Sequence, residues 1–249
     1  MFYFLISSLM TYNFILLAAA VIPAVVLMVK VYRSDRLEPE SPSWLWALMR
    51  AGILSSLIAL VAEYLLNSLL DMTVSDQDMY MILLYFGVVA FSEEGAKYFM
   101  LHRYSWNSGE FNCQYDGVVY AVFVSLGFAL WENISYVLHY GFSTAVIRAV
   151  TAIPGHACFG VFMGVFYGIA RKYANRGNRD KSVVCQVLAV LVPAALHGAY
   201  DYIASIEGNS WYFVGFIALM FVLSYFMVFR SSKLDQYIGQ PVPSRRARR

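Results

Sequence analysis

The chain contains few charged residues. Only 14% of its 249 residues are Asp, Glu, Lys or Arg, whereas 60% are hydrophobic and the mean hydropathy is +0.58. Soluble domains contain about 25% charged residues, so this chain lacks the polar side chains that would cover a water-soluble globule. The composition therefore excludes an ordinary soluble protein and predicts an integral membrane protein.

Cysteine is equally scarce. The three residues Cys113, Cys158 and Cys185 lie far apart and form no CxxC pair, so the sequence predicts neither a disulfide framework nor a thiolate zinc site. Cys158 follows His156 by two residues, which places it on nearly the opposite face of a helix and argues against a nucleophilic cysteine. No internal repeat is found, which argues against an inverted-repeat transporter.

Long apolar runs predict membrane-spanning helices, which need about 20 residues each. Such runs occur at residues 4–29, 44–70, 79–101, 117–139, 145–170, 183–205 and 211–229. The first has no basic residue before it and no small-residue cleavage site, so we expect a retained span and not a signal peptide. The expected fold class is all-α: a polytopic membrane helical bundle of about seven transmembrane helices.

The basic residues are segregated along the chain. All but one of the 18 Lys and Arg residues fall on one side of the predicted spans, and only Arg148 lies near the other. Because basic loops face the cytoplasm, we expect the N-terminus outside and the C-terminus in the cytoplasm. Residues 1–230 are expected to form one transmembrane domain with a functional core at about 79–205. Residues 231–249 are expected to form a disordered basic cytoplasmic tail that contacts anionic lipids.

A few polar and ionisable residues occur within the predicted spans, where each charge costs about 2.5–3.5 kcal/mol on insertion scales. They fall on four consecutive helices: Glu93, Glu94 and Lys97 on the third, Glu132 and Asn133 on the fourth, His156 on the fifth, and His197 and Asp201 on the sixth. Since such residues persist mainly where they serve a function, their concentration predicts a polar site inside the bundle.

Helical spacing predicts several contacts in this site. Glu93 and Lys97 are four residues apart, which allows an ion pair within one helix. His197 and Asp201 have the same spacing, so the carboxylate is expected to hold one ring nitrogen and to orient the other. Adjacent Glu93 and Glu94 point about 100° apart. Only one of them is therefore expected to face the centre of the site, while the other orients that glutamate or pairs with the lysine.

Glycines recur every four residues in the fifth span, at Gly160, Gly164 and Gly168, on the helix face of His156. Such a stripe allows another helix to approach closely. This helix and the sixth helix, which contains Pro193, are also expected to line a water-containing cavity at the polar site.

Three other polar residues have simpler interpretations. Glu63 is isolated in the second span and is interpreted as a residue of helix packing or assembly. His139 and Arg148 lie near the outer surface and are interpreted as interfacial residues.

Carboxylates and imidazoles together can activate water. A buried Glu can take a proton from water, and a His can stabilise an oxyanion or protonate a leaving amine. The same side chains can instead hold a zinc ion and leave one Glu as the base. Two other functions would use these residues: a proton-coupled carrier or channel, or a catalytically silent scaffold. Cleavage of a substrate would distinguish hydrolysis from both.

The polar residues fall within recognisable motifs. Residues 93–97 read EEGAK and match EExxK, residues 128–133 read FALWEN and match FxxxEN, and residues 116–120 form a DGxxY run. His156 lies in PGHACFG, and His197 begins the HxxxD motif HGAYD. In this order the motifs resemble the PrsW family of intramembrane proteases, which is related to the CAAX prenyl endopeptidases and the Abi membrane proteases.

The resemblance covers roughly residues 87–205 and implies an endopeptidase of the bacterial cytoplasmic membrane. It implies the first cut in an anti-sigma factor, a single-span membrane protein, which releases a transcriptional response to envelope stress. No nucleic-acid partner is expected. The residues implied to be catalytic are Glu93, Glu94, His156 and His197, with supporting roles for Lys97, Glu132, Asn133 and Asp201. The family has been described as metalloproteases, whereas the CAAX enzymes resemble glutamate proteases, so zinc is one alternative and metal-free chemistry the other. The expected zinc ligands are among Glu94, Glu132, His156 and His197.

Overall fold

The computed structural model describes residues 18, 21–22, 24–206, 208 and 210–239. This part of the chain is helical, with one isolated bridge and no strand. After a helical segment at residues 24–34, the helices are α1 (Pro42–Thr73), α2 (Gln77–Ile82), α3 (Phe91–Ser105), α4 (Asp116–Tyr140), α5 (Phe142–Val150), α6 (Ala152–Asn175), α7 (Arg179–Ser205) and α8 (Ser210–Lys233). A π-helical segment, Leu83–Ala90, joins α2 to α3.

Several helices begin at residues that favour helix starts. The Ser41 hydroxyl accepts a hydrogen bond from the Trp44 amide (3.3 Å), and Pro42 occupies the first turn of α1. Asp76 caps α2 and Asn178 caps α7 in the same way. Such side chains satisfy backbone N–H groups that have no partner inside the helix.

Six stretches of the described residues are long and apolar enough to cross a membrane: Pro42–Thr73, Gln77–Ser105, Asp116–Tyr140, Phe142–Asn175, Arg179–Ser205 and Trp211–Lys233. They correspond to the second through seventh predicted spans. The first predicted span, 4–29, lies largely outside the described residues. The predicted all-α polytopic membrane bundle is confirmed.

The fifth predicted span, 145–170, is interrupted. The structure has two helices there, α5 and α6, with Thr151 between them at φ −120° and ψ −72°. Pro154 lies in the first turn of α6, where a backbone N–H would have no partner within the helix. In a continuous helix over this segment, the missing N–H of Pro154 would remove a backbone hydrogen bond. The break allows the short α5 to fold against the end of α4.

Helix α4 forms the centre of the bundle, and most of its residues are buried. Helix α1 contacts it closely, because a β-carbon on Gly52 would overlap the carbonyl oxygen of Val124. Helix α6 contacts it equally closely, because a β-carbon on Gly164 would overlap Cα of Val118. Small residues therefore set the distance between α4 and both neighbours.

The glycine stripe of α6 faces α4 over its whole length. A β-carbon on Gly160 would lie 2.9 Å from the Ser125 hydroxyl, and one on Gly168 would overlap the backbone of Gln114. The close helix approach predicted from the stripe is confirmed. A β-carbon on Gly164 would meet backbone atoms of α4, and the expectation that this helix lines a water-containing cavity stays a prediction.

The loops at one end of the bundle are joined by hydrogen bonds. The side-chain amide of Asn112 donates to the Glu38 carboxylate (3.1 Å), and the Ser232 hydroxyl donates to the Ser34 carbonyl. These contacts connect the chain after the N-terminal segment, the loop before α4 and the end of α8. The segregation of basic residues along the chain is consistent with these loops meeting at one end of the bundle. The cytoplasmic orientation of this end stays a prediction.

The chain does not leave the bundle where α8 ends. Helix α8 continues to Lys233, and the following residues pair with the loop before α4, where the Ile238 amide donates to the Asn112 carbonyl (2.8 Å). Backbone hydrogen bonds and a contact of Gly239 hold residues 234–239, the part of the predicted tail that follows α8, and the disordered tail itself stays a prediction. The rest of the predicted tail lies outside the described residues.

Candidate active site

The glutamate pair follows an irregular stretch of helix. Leu83–Ala90 is π-helical, and Glu93 and Glu94 come next, in the first turn of α3. Short π-helical segments occur frequently at functional sites. The segment contacts α7, where a β-carbon on Gly198 would lie 2.6 Å from the ring of Phe86. This contact brings the start of α3 close to the histidine of α7.

Lys97 lies at the centre of the polar cluster. Its buried ammonium is 2.7 Å from Oε1 of Glu94, 3.1 Å from Oε2 of Glu93 and 3.0 Å from Nδ1 of His156. The Phe128 ring centre is 4.0 Å from the same nitrogen, a cation–π contact. Both carboxylates thus converge on one lysine, because their long side chains reach it from three and four residues away despite their angular separation.

His197 lies between carboxylates. Its Nδ1 atom is 3.0 Å from Oε1 of Glu94 and 3.8 Å from Oε2 of Glu93, while Nε2 is 3.4 Å from Oδ2 of Asp201. The Phe159 ring stacks on the imidazole with a centroid distance of 4.8 Å. This geometry matches the arrangement predicted from spacing, with Asp201 at one ring nitrogen and the other directed to the glutamates.

His156 connects this cluster to α4. Its Nδ1 atom contacts Lys97, and its Nε2 atom is 2.9 Å from Oε2 of Glu132. A lysine ammonium can only donate, so Nδ1 accepts and the Nε2 proton is donated to the carboxylate. The rings of His156 and His197 are 5.2 Å apart and nearly perpendicular, at 84°.

Arg148, which was interpreted from the sequence as an interfacial residue, contacts the site. Its Nη2 atom lies 2.9 Å from Oε2 of Glu132, and its Nε donates to Oδ1 of Asn133 (3.0 Å). Its guanidinium also lies 4.0 Å from the centre of the Tyr136 ring. Two signals could have found it: Arg148 is the basic residue on the otherwise acidic side of the spans, and a carboxylate within a span needs a partner.

Glu63 also lies near this cluster. Ala59, one turn earlier on α1, packs against Phe128. Glu63 therefore projects from the face of α1 that is turned to the site, within electrostatic range of Glu93 and Glu132. Its carboxyl group belongs to the surroundings of the site.

The cluster contains residue types that bind metals. Four buried residues each have one ligand atom within 4.8 Å of the others: Glu93, Glu94, His156 and His197. Glu132 was expected from the sequence as a ligand in place of Glu93. It instead contacts Nε2 of His156, the nitrogen away from the cluster centre, as is typical of a residue that orients a histidine ligand. The donors fit a metal ion by type and proximity. Lys97 contacts three of them, so a bound ion would replace part of its contacts.

The fold and the site together define a class of protein. The buried acids and histidines from four helices form one connected cluster in a membrane bundle, and this combination is suited to activating water. Such a protein is a membrane-embedded hydrolase.

Comparison with known proteins identifies the family. A profile described as PrsW family intramembrane metalloprotease matches residues 40–229, and the chain belongs to this family. Protease PrsW of Oceanobacillus iheyensis is 32% identical over 216 residues, which cover 86% of this chain and 89% of the relative. Protease PrsW of Geobacillus kaustophilus is 32% identical over 206 residues (83% and 87%), and that of Bacillus subtilis is 30% identical over 201 residues (81% and 88%). No solved structure matches the chain.

These similarities confirm the resemblance found in the sequence motifs. The protein is an intramembrane protease, a peptide hydrolase integral to the membrane, and its bacterial relatives are consistent with an inner-membrane location. They favour hydrolysis over the carrier and scaffold alternatives. The description of the family as metalloproteases agrees with the group of metal-binding residue types in the site.

Proposed function

We propose that this protease cleaves its substrate with Glu94 as the general base. The observation that supports this assignment is the unequal environment of the two carboxylate oxygens. Oε1 is held by Lys97 and His197, whereas Oε2 is buried and has no hydrogen-bond partner among the described residues. A carboxylate fixed by one oxygen can accept a proton from water on the other without losing its orientation.

The same cluster is proposed to hold zinc through His156, His197 and Glu93, in which case Nδ1 of His197 would bind the ion and Lys97 alone would hold Oε1 of Glu94. Two histidines and one carboxylate are a common ligand set of catalytic zinc sites, which keep one position open. When bound, zinc supplies Lewis-acid polarisation of the scissile carbonyl and makes its water more acidic. Glu132 and Asp201 lie on the far nitrogens of the two histidines and orient their Nδ1 atoms to the centre.

The remaining polar side chains have supporting roles. Lys97 neutralises the negative charge of the glutamate pair and keeps Glu94 in place through its 2.7 Å contact. Asn133 is held by Arg148 and, with Glu132, is proposed to position water or the substrate backbone.

We propose a single-span membrane protein of the anti-sigma factor type as the substrate, with this enzyme making the first cut. A peptide bond inside a helix is shielded by the helix hydrogen bonds, so the substrate must be extended at the site. The location of the cluster within the spanning helices supports a substrate that is itself anchored in the membrane. The predicted orientation, with the basic end of the bundle in the cytoplasm, follows the positive-inside rule.

Co-reconstitution in lipid vesicles with a single-span anti-sigma factor tests this function. The wild-type protein should release a defined fragment, identified by mass spectrometry, and Glu94→Gln should slow cleavage by about 100- to 10,000-fold, the usual contribution of a general base. Glu110→Gln, at an exposed carboxyl outside the cluster, is the control and should cleave normally. Normal cleavage by Glu94→Gln would refute the base assignment. Proton-linked flux without any cleavage would instead favour the carrier.

A further inference from the structure

A groove lies between the N-terminal helical segment (residues 24–34), α6 and α8. Its volume is about 610 Å³. Its walls are largely apolar and include Leu27, Val31, Ala157, Val161, Phe221 and Val228. The residues of the Glu–His cluster do not line it, because His156 faces α4 whereas the groove follows another face of α6.

Three basic residues line the groove at one end. Lys30, Arg33 and Arg36 all belong to its lining, and none of them forms an ion pair with a carboxylate in the described part of the chain. Lys30 lies over the ring of Tyr225, 5.6 Å from its centre. The groove thus combines an apolar wall with a cationic end that is free to bind an anion.

The depth of the groove matches one leaflet of a bilayer. Along α8 the lining extends from Phe221 to Ser232, a distance of about 16 Å at 1.5 Å per residue. Half of a bilayer core is about 15 Å thick. Ser232 contacts the Ser34 carbonyl beside the basic residues, so the cationic end coincides with the end of the bundle and the apolar end with its middle.

We propose that this groove binds one acidic phospholipid from the leaflet at the basic end of the bundle. Its phosphate contacts Lys30, Arg33 and Arg36, and an acyl chain lies between α6 and α8. The cationic end of the groove complements the anionic headgroup of such a lipid, and the apolar walls complement its acyl chain. A transmembrane helix of a protein substrate would extend through both leaflets, which the groove does not. This site is separate from the catalytic cluster and does not depend on its proposed mechanism.

Photocrosslinking of the purified full-length protein tests the charged end of the groove. The probe is phosphatidylglycerol with a diazirine in its acyl chain, added to phosphatidylcholine nanodiscs. The triple variant Lys30→Gln, Arg33→Gln, Arg36→Gln should crosslink at least about tenfold less, since each lost cation weakens binding to an anionic headgroup. The control variant removes three exposed charges outside the groove: Arg176→Gln, Arg179→Gln and Lys181→Gln. Equal crosslinking in the two variants would overturn the proposal.

The wall of the groove is tested separately. Ser224→Phe fills the groove from α8 and should reduce crosslinking severalfold, whereas Val222→Phe, at an exposed position of α8 outside the groove, should not. An equal effect of the two substitutions would argue against the site.

Wild-type protein provides a test that needs no variant. Its crosslinks should map to the α6 and α8 walls and should be stronger for phosphatidylglycerol than for a phosphatidylcholine probe. Crosslinks that occur equally with both lipids, or that are spread over the exposed face of α1, would show annular lipid only and refute the proposal. Displacement of the probe by a single-span substrate peptide that itself crosslinks to the groove would assign it to substrate instead.

Discussion

Arg148 joins the short helix α5 to the proposed catalytic cluster, with Nη2 2.9 Å from Oε2 of Glu132. Glu132 in turn contacts Nε2 of His156 at 2.9 Å. A residue of a short helix outside the polar core of the bundle therefore fixes the partner of a proposed metal ligand. Because such partners set the orientation of a ligand, Arg148 is expected to influence the reaction through Glu132, without contacting the reacting atoms.

We expect Arg148→Gln to lower kcat by about 10- to 100-fold, the usual effect of losing a partner of a ligand, with little change in KM. Arg148→Lys should recover only part of the loss, because an ammonium lacks the planar fork that contacts Glu132 and Asn133 together. Cleavage kinetics on a single-span substrate check this, with Arg176→Gln as the exposed control. An unchanged kcat, or a loss explained entirely by unfolding, would argue against this role.

Lys97 is expected to be essential for stability as well as for activity. Its ammonium contacts Glu93 and Glu94, and all three residues are buried. Lys97→Met should lower the free energy of unfolding by about 3–5 kcal/mol, because it leaves buried carboxylates without a counter-charge. Thermal unfolding in detergent measures this effect.

A second variant separates the lost counter-charge from lost packing at Lys97. Lys97→Met combined with Glu93→Gln should regain part of the stability but none of the activity. If the single variant is as stable as the wild type, the lysine does not neutralise the pair.

Contacts within one helix were predictable from the sequence, whereas contacts between helices were not. The spacing of Glu93 and Lys97, and that of His197 and Asp201, fixes their proximity through the geometry of the α-helix. The contact of Arg148 with Glu132 depends on the fold of α5 against α4, which hydropathy does not encode.

The same limit applies to the fold. Long apolar runs predicted the second to seventh spans correctly because hydrocarbon favours helices, but apolarity alone gave no signal for the break at Thr151. The glycine stripe predicted a close helix contact, yet its partner, α4, was not specified. Likewise, the pairing of Ile238 with the loop before α4 joins residues far apart in the chain, and no local pattern indicates it.

Metal analysis tests the proposed zinc ligands independently of activity. We expect about one zinc ion per chain in the purified protein and loss of most of it in His156→Ala and in His197→Ala, because each variant removes one of few ligands. His139→Ala, which changes an exposed histidine, should retain the metal. Full activity in protein that is free of metal and insensitive to chelators would refute the zinc assignment and leave Glu94 as a metal-free base.

Stability is expected to depend on pH through Glu40, which lies in the loop before α1 and accepts a hydrogen bond from Tyr120. Burial raises the pKa of Glu40 from 4.5 to about 7. The folded protein thus keeps a proton that the unfolded chain loses, so this contribution is complete below pH 4.5 and is lost as the pH rises to about 7. Asp35, whose pKa is raised to about 6 mainly by burial, acts in the same direction.

Glu40→Gln keeps an acceptor for Tyr120 but cannot ionise. The variant should be about 1–3 kcal/mol more stable than the wild type at pH 8, and this advantage should disappear near pH 5. Thermal unfolding at both pH values measures the difference, and Asp180→Asn, at an exposed carboxyl, should leave the pH dependence unchanged. A wild-type Tm that does not fall between pH 5 and pH 8 would contradict the prediction.

The contact between α6 and α4 can be tested with a matched pair of glycines. A β-carbon on Gly164 would overlap backbone atoms of α4, whereas one on Gly215 in α8 meets nothing within 4 Å in the described structure. Alanine favours a helix over glycine by up to about 1 kcal/mol, so Gly215→Ala should be neutral or stabilising. Gly164→Ala should instead destabilise the protein by about 1–3 kcal/mol, because backbone atoms cannot yield without separating the helices.

Because Gly164 shares a helix face with His156, separation of α6 from α4 should also displace the imidazole from Glu132. Gly164→Ala should therefore lose cleavage activity even at temperatures at which it remains folded, while Gly215→Ala retains it. Equal stability and equal activity of the two variants would show that the distance between α6 and α4 does not determine the position of His156.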